Sequence, residues 1–83
     1  MTPESEQMIQ HIVRLVRKPK LSIDENTPLI SSGLIDSLTL VRVLQKLEDL
    51  THRRIPPGSV QPQDLDTVTM MFATARRVGV PRK

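Results

Sequence analysis

The sequence predicts an all-α fold, a small bundle of three main helices plus one short helix, with a long first loop. The 83 residues suffice for one small domain, so we expect a single domain over residues 1–83. Phe72 is the sole aromatic residue, which leaves leucine, isoleucine, valine and methionine to build the core. Such a core suits a helical bundle better than a β-sandwich, which usually draws on more aromatic side chains. Apolar residues also recur at helical spacing in three segments.

The first helix is predicted from Glu4 to about Arg17. Thr2-Pro3 suits its start, because proline is favoured in the first turn of a helix, and Pro19 ends it. The residues expected on its core-facing side are Ile9, Ile12, Val13 and Val16.

A long connection follows, from about residue 20 to residue 36, and it contains Pro28, Gly33 and several short polar residues. Loops of this length are uncommon in compact domains unless they have a function or a packed interior. Four apolar side chains can hold this loop against the core: Ile23, Leu29, Ile30 and Leu34.

The second helix is predicted from Ser37 to Leu50 or Thr51. Its core-facing stripe consists of Leu40, Val43, Leu44 and Leu47. A neighbouring stripe is partly apolar and is expected to be exposed; it consists of Leu38, Val41 and Gln45.

The last third of the chain predicts one short helical turn and one longer helix. Pro56-Pro57-Gly58 is a firm stop, and a turn of helix is expected over residues 62–65. The last helix begins with Asp66 or Thr67 as N-cap and closes at Gly79. Its core-facing residues are Val68, Met71, Phe72, Ala75 and Val78.

Composition excludes several classes of function. The chain has no cysteine, so neither a disulfide framework nor a cysteine metal site exists. No apolar run approaches the roughly 18 residues that span a bilayer. The first ten residues are acidic and polar, which is unlike a signal peptide, and we expect a cytoplasmic protein. A start at Met1 and the compact length favour a free-standing chain.

Histidines and acidic residues give no metal or catalytic constellation. His11 and His52 are far apart in the sequence, and neither has a metal-ligand or nucleophile partner at a useful spacing. Asp24-Glu25-Asn26 lacks the ligand spacing and central glycine of a calcium loop, so a turn or cap is expected there. The sequence predicts no metal site and no catalytic site.

The positive charges are clustered, and the formal net charge is +3. The clusters are Arg14, Arg17, Lys18 and Lys20; Arg53 and Arg54; and Arg76, Arg77, Arg82 and Lys83. Basic clusters can bind nucleic acid or an acidic protein partner. They also occur at helix ends, where cations complement the macrodipole. Since no aromatic residues interleave with them for base stacking, nucleic acid is not the expected partner.

The motif that carries chemistry is Asp36-Ser37-Leu38, at the joint between the long loop and the second helix. Asp36 and Ser37 are both good N-cap residues, so capping alone could explain them. A primary alcohol at a helix N-terminus, however, lies where the dipole and free N–H groups favour a phosphate. The preceding carboxylate suits a metal ion during phosphoryl transfer.

With these motifs the chain resembles the acyl carrier and peptidyl carrier protein family. The resemblance covers nearly the whole chain and rests on the amphipathic first helix, "NTPLISSGLIDSL", the second helix, "IPP" and "DLDTVTMM". It implies that Ser37 receives 4′-phosphopantetheine from coenzyme A and that Asp36 supports this modification. The modifying partner would be a phosphopantetheinyl transferase that uses Mg²⁺. The arm's thiol would then hold cargo as a thioester.

The same resemblance implies delivery rather than catalysis, so the chain is expected not to be an enzyme. Its partners would be an acyltransferase or an acyl or aminoacyl ligase, followed by downstream synthase enzymes, with the carrier a monomer. The form "SGLIDSL" is similar to D-alanyl carriers and stand-alone carriers of specialised metabolism, such as polyketide or nonribosomal peptide biosynthesis. Fatty-acid carriers are strongly acidic along this helix, whereas here Arg42 and Lys46 stand beside Glu48 and Asp49.

The second helix is the family's usual docking face, and the resemblance places partner binding on five residues. They are Leu38, Val41, Arg42, Gln45 and Glu48. Two alternatives stay open at this point. Arg42 could instead pair with Glu48 or Asp49 on a solvated face. The whole chain could also be a non-carrier helical adaptor or a nucleic-acid-binding bundle that uses its basic clusters.

Overall fold

The computed structural model describes residues 2–17 and 22–81. The elements in chain order are α1 (Pro3–Leu15), α2 (Ser37–Thr51), β1 (Arg53–Arg54), two 3₁₀ helices (Pro57–Ser59 and Pro62–Leu65), α3 (Val68–Val78) and β2 (Val80–Pro81). Each of the three α-helices packs against the other two. The predicted all-α bundle with three main helices is therefore confirmed.

Helix α1 begins as predicted but buries a different face. The side chain of Thr2 caps it by accepting a hydrogen bond from the Ser5 N–H at 3.1 Å. Its buried residues are Ser5, Met8 and Ile12, with Ile9, Leu15 and Val16 half-buried beside them. The predicted set was wrong at Val13, which is only half-buried and lies outside this cluster. The helix ends at Leu15 rather than Arg17, and Pro19 lies outside the described residues.

Helix α2 has the predicted bounds. Val43 and Leu47 are buried, and Leu40 and Leu44 are half-buried against them, so the predicted core stripe is confirmed. The helix ends at Thr51, and the C-cap residue His52 adopts a left-handed conformation (φ 55°) and donates its backbone N–H to the Glu48 carbonyl. This is the usual way to satisfy a carbonyl in the last turn, although glycine or asparagine is the common residue there.

Helix α3 begins with Thr67 as its N-cap, and the Thr67 hydroxyl accepts from the Met70 N–H at 3.1 Å. A second free N–H of its first turn, that of Thr69, is satisfied by the Glu25 carbonyl at 2.9 Å. The Asp24–Asn26 segment is thus a turn, as predicted, and it also ties the first loop to α3. Asp24 Oδ1 accepts from the Asn26 N–H at 2.8 Å within that turn.

Two short strands were not predicted. Arg53 pairs with Pro81 and Arg54 with Val80 in an antiparallel ladder that joins the end of α2 to the end of α3. Gly79 lies beside this ladder in an extended conformation. Glycine is favoured there because a side chain would not fit, and not because the backbone makes a left-handed turn. A Cβ at this position would lie 3.1 Å from Arg53 Cβ and closer still to the Ala75 carbonyl oxygen.

The core is built from side chains of all three helices and of the loops between them. The buried apolar residues are Met8, Ile12, Leu29, Ile35, Val43, Leu47, Ile55, Leu65, Val68, Met71 and Ala75. The first loop contributes Leu29, with Ile23, Ile30 and Leu34 half-buried, as predicted. Ile35 is equally buried and was not predicted. The predicted turn at residues 62–65 is the second 3₁₀ helix.

Candidate functional site

Asp36 and Ser37 have different roles at the start of α2. Asp36 is the N-cap: its Oδ1 accepts from the Thr39 N–H at 2.8 Å, and its carbonyl accepts from the Leu40 N–H at 2.9 Å. Ser37 is the first helical residue and is exposed. Among the described residues its hydroxyl has no hydrogen-bond partner. Since Asp36 supplies the cap, the Ser37 hydroxyl is left available for another use.

The Asp36 carboxylate is charged at neutral pH. Hydrogen bonds from the backbone and the side chain of Thr39 lower the pKa of Asp36 below its ordinary value. Asp36 is exposed to solvent, so its charge can be reached by a metal ion or a partner enzyme. A carboxylate beside a free hydroxyl is an arrangement that can assist phosphoryl transfer to that hydroxyl.

The loop before Ser37 is held by its own backbone. The Ile35 N–H donates to the Leu29 carbonyl at 3.1 Å, and the Gly33 N–H donates to the Ile30 carbonyl at 3.0 Å. Gly33 has φ +78°, a conformation that side chains rarely adopt, so glycine is the natural residue for this turn. Buried Ile35 then fixes the chain to the core two residues before Ser37.

The role of Asp66 in this region was not predicted from the sequence. Asp66 was expected only as a possible N-cap of α3, and Thr67 has that role. The Asp66 carboxylate instead reaches across to the first loop, where Oδ1 accepts from the N–H groups of Ile30 at 2.8 Å and Ser31 at 2.9 Å. These bonds lower the pKa of Asp66, the hydrogen bonds from Ser31 being the largest cause. No local pattern could have revealed a contact across 35 positions.

The five predicted docking residues all lie along α2, but they are not equivalent. Leu38 is 81% exposed and Val41 is 54% exposed, which is high for large apolar side chains. Arg42 and Gln45 are exposed beside them. Glu48 is half-buried, and its carboxylate accepts from the Ile55 N–H at 2.8 Å. The structure therefore brings four of the five onto an open face and gives Glu48 an internal partner.

The sequence left open a pairing of Arg42 with Glu48 or Asp49. The Glu48 carboxylate accepts a hydrogen bond from the Ile55 N–H at 2.8 Å. Arg42 is exposed on the same face as Leu38 and Val41.

In the part of the chain that the structure describes, the other titratable and apolar residues form neither a metal centre nor a membrane-spanning helix. His52 is exposed and His11 is half-buried. Within the described ranges, no three histidine, aspartate or glutamate residues are grouped so that they could hold a metal ion. The same ranges contain no helix of the length and apolarity needed to cross a membrane.

An exposed serine hydroxyl at the start of a helix is a position that could bear a covalently attached phosphate group. The residues fit such a group, because the phosphate of an attached arm would lie at the N-terminus of α2, where the helix dipole favours negative charge. The family model for the phosphopantetheine attachment site matches residues 6–72. The chain belongs to this family, that of the acyl and peptidyl carrier proteins, which bear covalent 4′-phosphopantetheine. No curated protein and no solved structure gave a match.

Proposed function

We propose that this protein is an acyl or aminoacyl carrier and that Ser37 is its attachment residue. One observation carries the assignment of the residue. Asp36, not Ser37, caps α2, so the exposed Ser37 hydroxyl is available inside the region that matches the family. The proposal treats residues 1–83 as a single carrier domain that has no catalytic site of its own and works as a monomer in the cytoplasm.

The loading reaction proposed for Ser37 is a phosphoryl transfer. A phosphopantetheinyl transferase brings coenzyme A and Mg²⁺ to the start of α2. The Ser37 oxygen forms a phosphodiester bond and loses its proton, while the nucleotide part of coenzyme A leaves. Asp36 supports this step with a charge that is exposed beside the hydroxyl. When bound, the arm supplies a terminal thiol that holds cargo as a thioester.

The proposed cargo is an acyl group or an amino acid, a β-amino acid included. An acyltransferase or an acyl or aminoacyl ligase would load it, and downstream synthase enzymes would receive it. Specialised metabolism, of the polyketide or nonribosomal peptide type, or aminoacyl transfer fits the residues of α2 better than fatty-acid synthesis does. The supporting observation is that Arg42 is exposed on the face where fatty-acid carriers are acidic.

Partner docking is proposed on the open face of α2. Leu38 and Val41 provide the apolar centre, since exposed large apolar side chains next to a functional group commonly mark interaction sites. Arg42 and Gln45 provide the polar border, and Glu48 lies at its far end. A cognate enzyme would meet this face with an apolar patch surrounded by mixed charge.

Incubation with coenzyme A, Mg²⁺ and a broad-specificity phosphopantetheinyl transferase tests the proposal. We expect the intact protein to gain the mass of one phosphopantetheine group and Ser37→Ala to gain none. The hydroxyl of Ser37 does not cap the helix, so Ser37→Ala should unfold at the same temperature as wild type. Ser59→Ala, also at an exposed serine, is the matched control and should load fully.

A different outcome would favour the alternative function. If wild type gains no mass, the carrier proposal fails. Binding to nucleic acid that weakens steeply with added salt would then support a basic binding bundle instead.

A further inference from the structure

A groove of about 290 Å³ runs between α1 and α2, next to the proposed docking face. Its lining residues are His11 and Leu15 from α1 and Arg42, Gln45, Lys46 and Asp49 from α2. His11 and Lys46 are half-buried, whereas Arg42 and Gln45 are exposed. The groove is therefore a surface feature with a partly covered floor.

Positive charge converges on this groove from both helices. Arg42 and Lys46 line it, and Arg14 on α1 lies close enough for its charge to act on His11. Asp49 supplies a negative charge at one end. The groove thus carries more positive than negative charge.

The pKa of His11 is consistent with the positive charges around the groove. Burial lowers the pKa of His11, and the charges of Lys46 and Arg14 lower it further. The imidazole is therefore neutral at neutral pH and does not add to the positive charge. A negative group placed in the groove would act in the opposite direction and raise the pKa of His11.

The groove is continuous with the exposed apolar residues of α2. Leu38 and Arg42 are four residues apart, so their side chains are neighbours on the helix surface. Gln45 and Asp49 extend the same face toward the C-terminal end of α2. A partner that covers Leu38 would reach Arg42 about one helical turn further along α2 and Lys46 about two turns along, roughly 12 Å from Leu38.

We propose that this groove receives an acidic segment of a protein partner, whose carboxylates pair with Arg42 and Lys46 while its apolar residues cover Leu38 and Val41. The inference rests on the proposed carrier function, and it names the chemistry of the docking partner. It also extends the docking surface from α2 onto α1, where His11 and Arg14 lie.

The observations favour a protein segment over nucleic acid. Leu38 and Val41 are adjacent apolar side chains that a phosphate backbone would not cover. No aromatic residue lines the groove, so bases have nothing to stack on.

Two synthetic helical peptides provide the probes: one with leucine on one face and glutamate on the other, and its twin with lysine in place of each glutamate. Each is titrated into the intact protein at low salt and followed by NMR. The glutamate peptide should shift the signals of Arg42, Gln45 and Lys46, and should raise the pKa of the His11 imidazole. The lysine peptide should bind at least about tenfold more weakly, because like charges repel.

A matched pair of variants tests whether the groove itself is responsible. Arg42→Glu combined with Lys46→Glu should weaken binding of the glutamate peptide by about tenfold or more. Arg54→Glu combined with Arg76→Glu makes the same change in net charge at exposed positions outside the groove and should leave binding unchanged. The far-UV spectrum of both variants checks that each is folded.

Several results would overturn the inference. These are equal binding of the two peptides, binding of neither, or equal losses in the two double variants. An oligonucleotide that shifts the groove residues more strongly than the glutamate peptide would overturn it in favour of nucleic acid. Loading of wild type at Ser37 is measured separately. A protein that loads but does not bind the glutamate peptide contradicts only the groove, and one that does not load contradicts the carrier function.

Discussion

The carboxylate of Asp66 accepts two hydrogen bonds from Ser31: Oδ1 from the backbone N–H at 2.9 Å and Oδ2 from the hydroxyl at 2.8 Å. It accepts a further bond from the Ile30 N–H, while the Asp66 carbonyl accepts from the Leu29 N–H at 2.8 Å. A single side chain, that of Asp66, therefore holds the loop that leads to Ser37. The position of the proposed attachment residue depends on this contact as well as on α2.

Asp66→Ala should destabilise the domain by about 1 kcal/mol. Hydrogen bonds to a charged group contribute about 1.5–3 kcal/mol, but Asp66 is partly exposed to solvent, which reduces the effect. Asp66→Asn keeps the shape of the side chain and one acceptor oxygen, so it should lose less stability than Asp66→Ala. Urea unfolding measures both variants, with Glu6→Gln as an exposed control.

The Asp66 contact should also depend on pH. The pKa of Asp66 is lowered from its ordinary value of 3.8 in the folded protein. The contribution of this carboxylate to stability is therefore present at pH values above 3.8 and is lost as the pH falls through the lower folded-state pKa. Stability should therefore fall on acidification below about pH 5, and Asp66→Asn should flatten this dependence. Part of the slope should remain, because the pKa of Asp36 is lowered too. An unchanged slope in Asp66→Asn would contradict the assignment.

Two variants of Asp36 separate its role as N-cap from its proposed role in phosphoryl transfer. Asp36→Asn keeps an oxygen that can accept from the Thr39 N–H, whereas Asp36→Ala removes the cap and the charge together. We expect Asp36→Asn to match wild type in stability but to load phosphopantetheine about 10- to 100-fold more slowly, the range typical for loss of a group that supports a metal site. Loading rates and thermal unfolding are measured on the same samples. Equal loading by Asp36→Asn and wild type would remove the charge from the mechanism.

Arg42→Glu should change the choice of partner. Wild type should be a poor substrate for fatty-acid synthase enzymes, whose basic docking patches suit acidic carriers. The substitution should improve that transfer and weaken transfer with the cognate enzymes, each by about tenfold, because like-charge contacts discriminate strongly between partners. Transfer rates with both enzyme sets provide the measurement, and Arg54→Glu on β1 is the control. Unchanged rates with both sets would mean that Arg42 is only a solvated charge.

Glu48 should affect stability more than docking. Glu48→Ala leaves the N–H of buried Ile55 without its acceptor, which should cost about 1–3 kcal/mol. Glu48→Gln retains an oxygen at the same place and should cost less. Gln45→Ala, on the exposed face, is the control and should be nearly neutral. If Glu48→Ala is as stable as wild type but slows transfer to partners, its role is docking, as the sequence predicted.

Local patterns in the sequence predicted most of the elements and the candidate site. The apolar spacing in α2 and α3 predicted their core faces, since a helix must bury a continuous stripe. Thr2-Pro3 predicted the start of α1, and Thr67 and Gly79 predicted the two ends of α3, because caps and breakers act within a few residues. Asp36-Ser37 was recognised for the same reason: both residues act at one helix terminus, which is a local feature.

The sequence alone determined which segments are helical and that one serine stands at the start of the second helix. The tertiary structure decided which of Asp36 and Ser37 is the cap, that Asp66 holds the first loop, and that Glu48 is bonded to Ile55. It also decided which face of α1 is buried. Apolar residues surround much of that helix, and only packing against α2 and α3 selects among them. Helix formation depends on neighbours three or four residues apart, whereas these contacts depend on how distant segments meet in space.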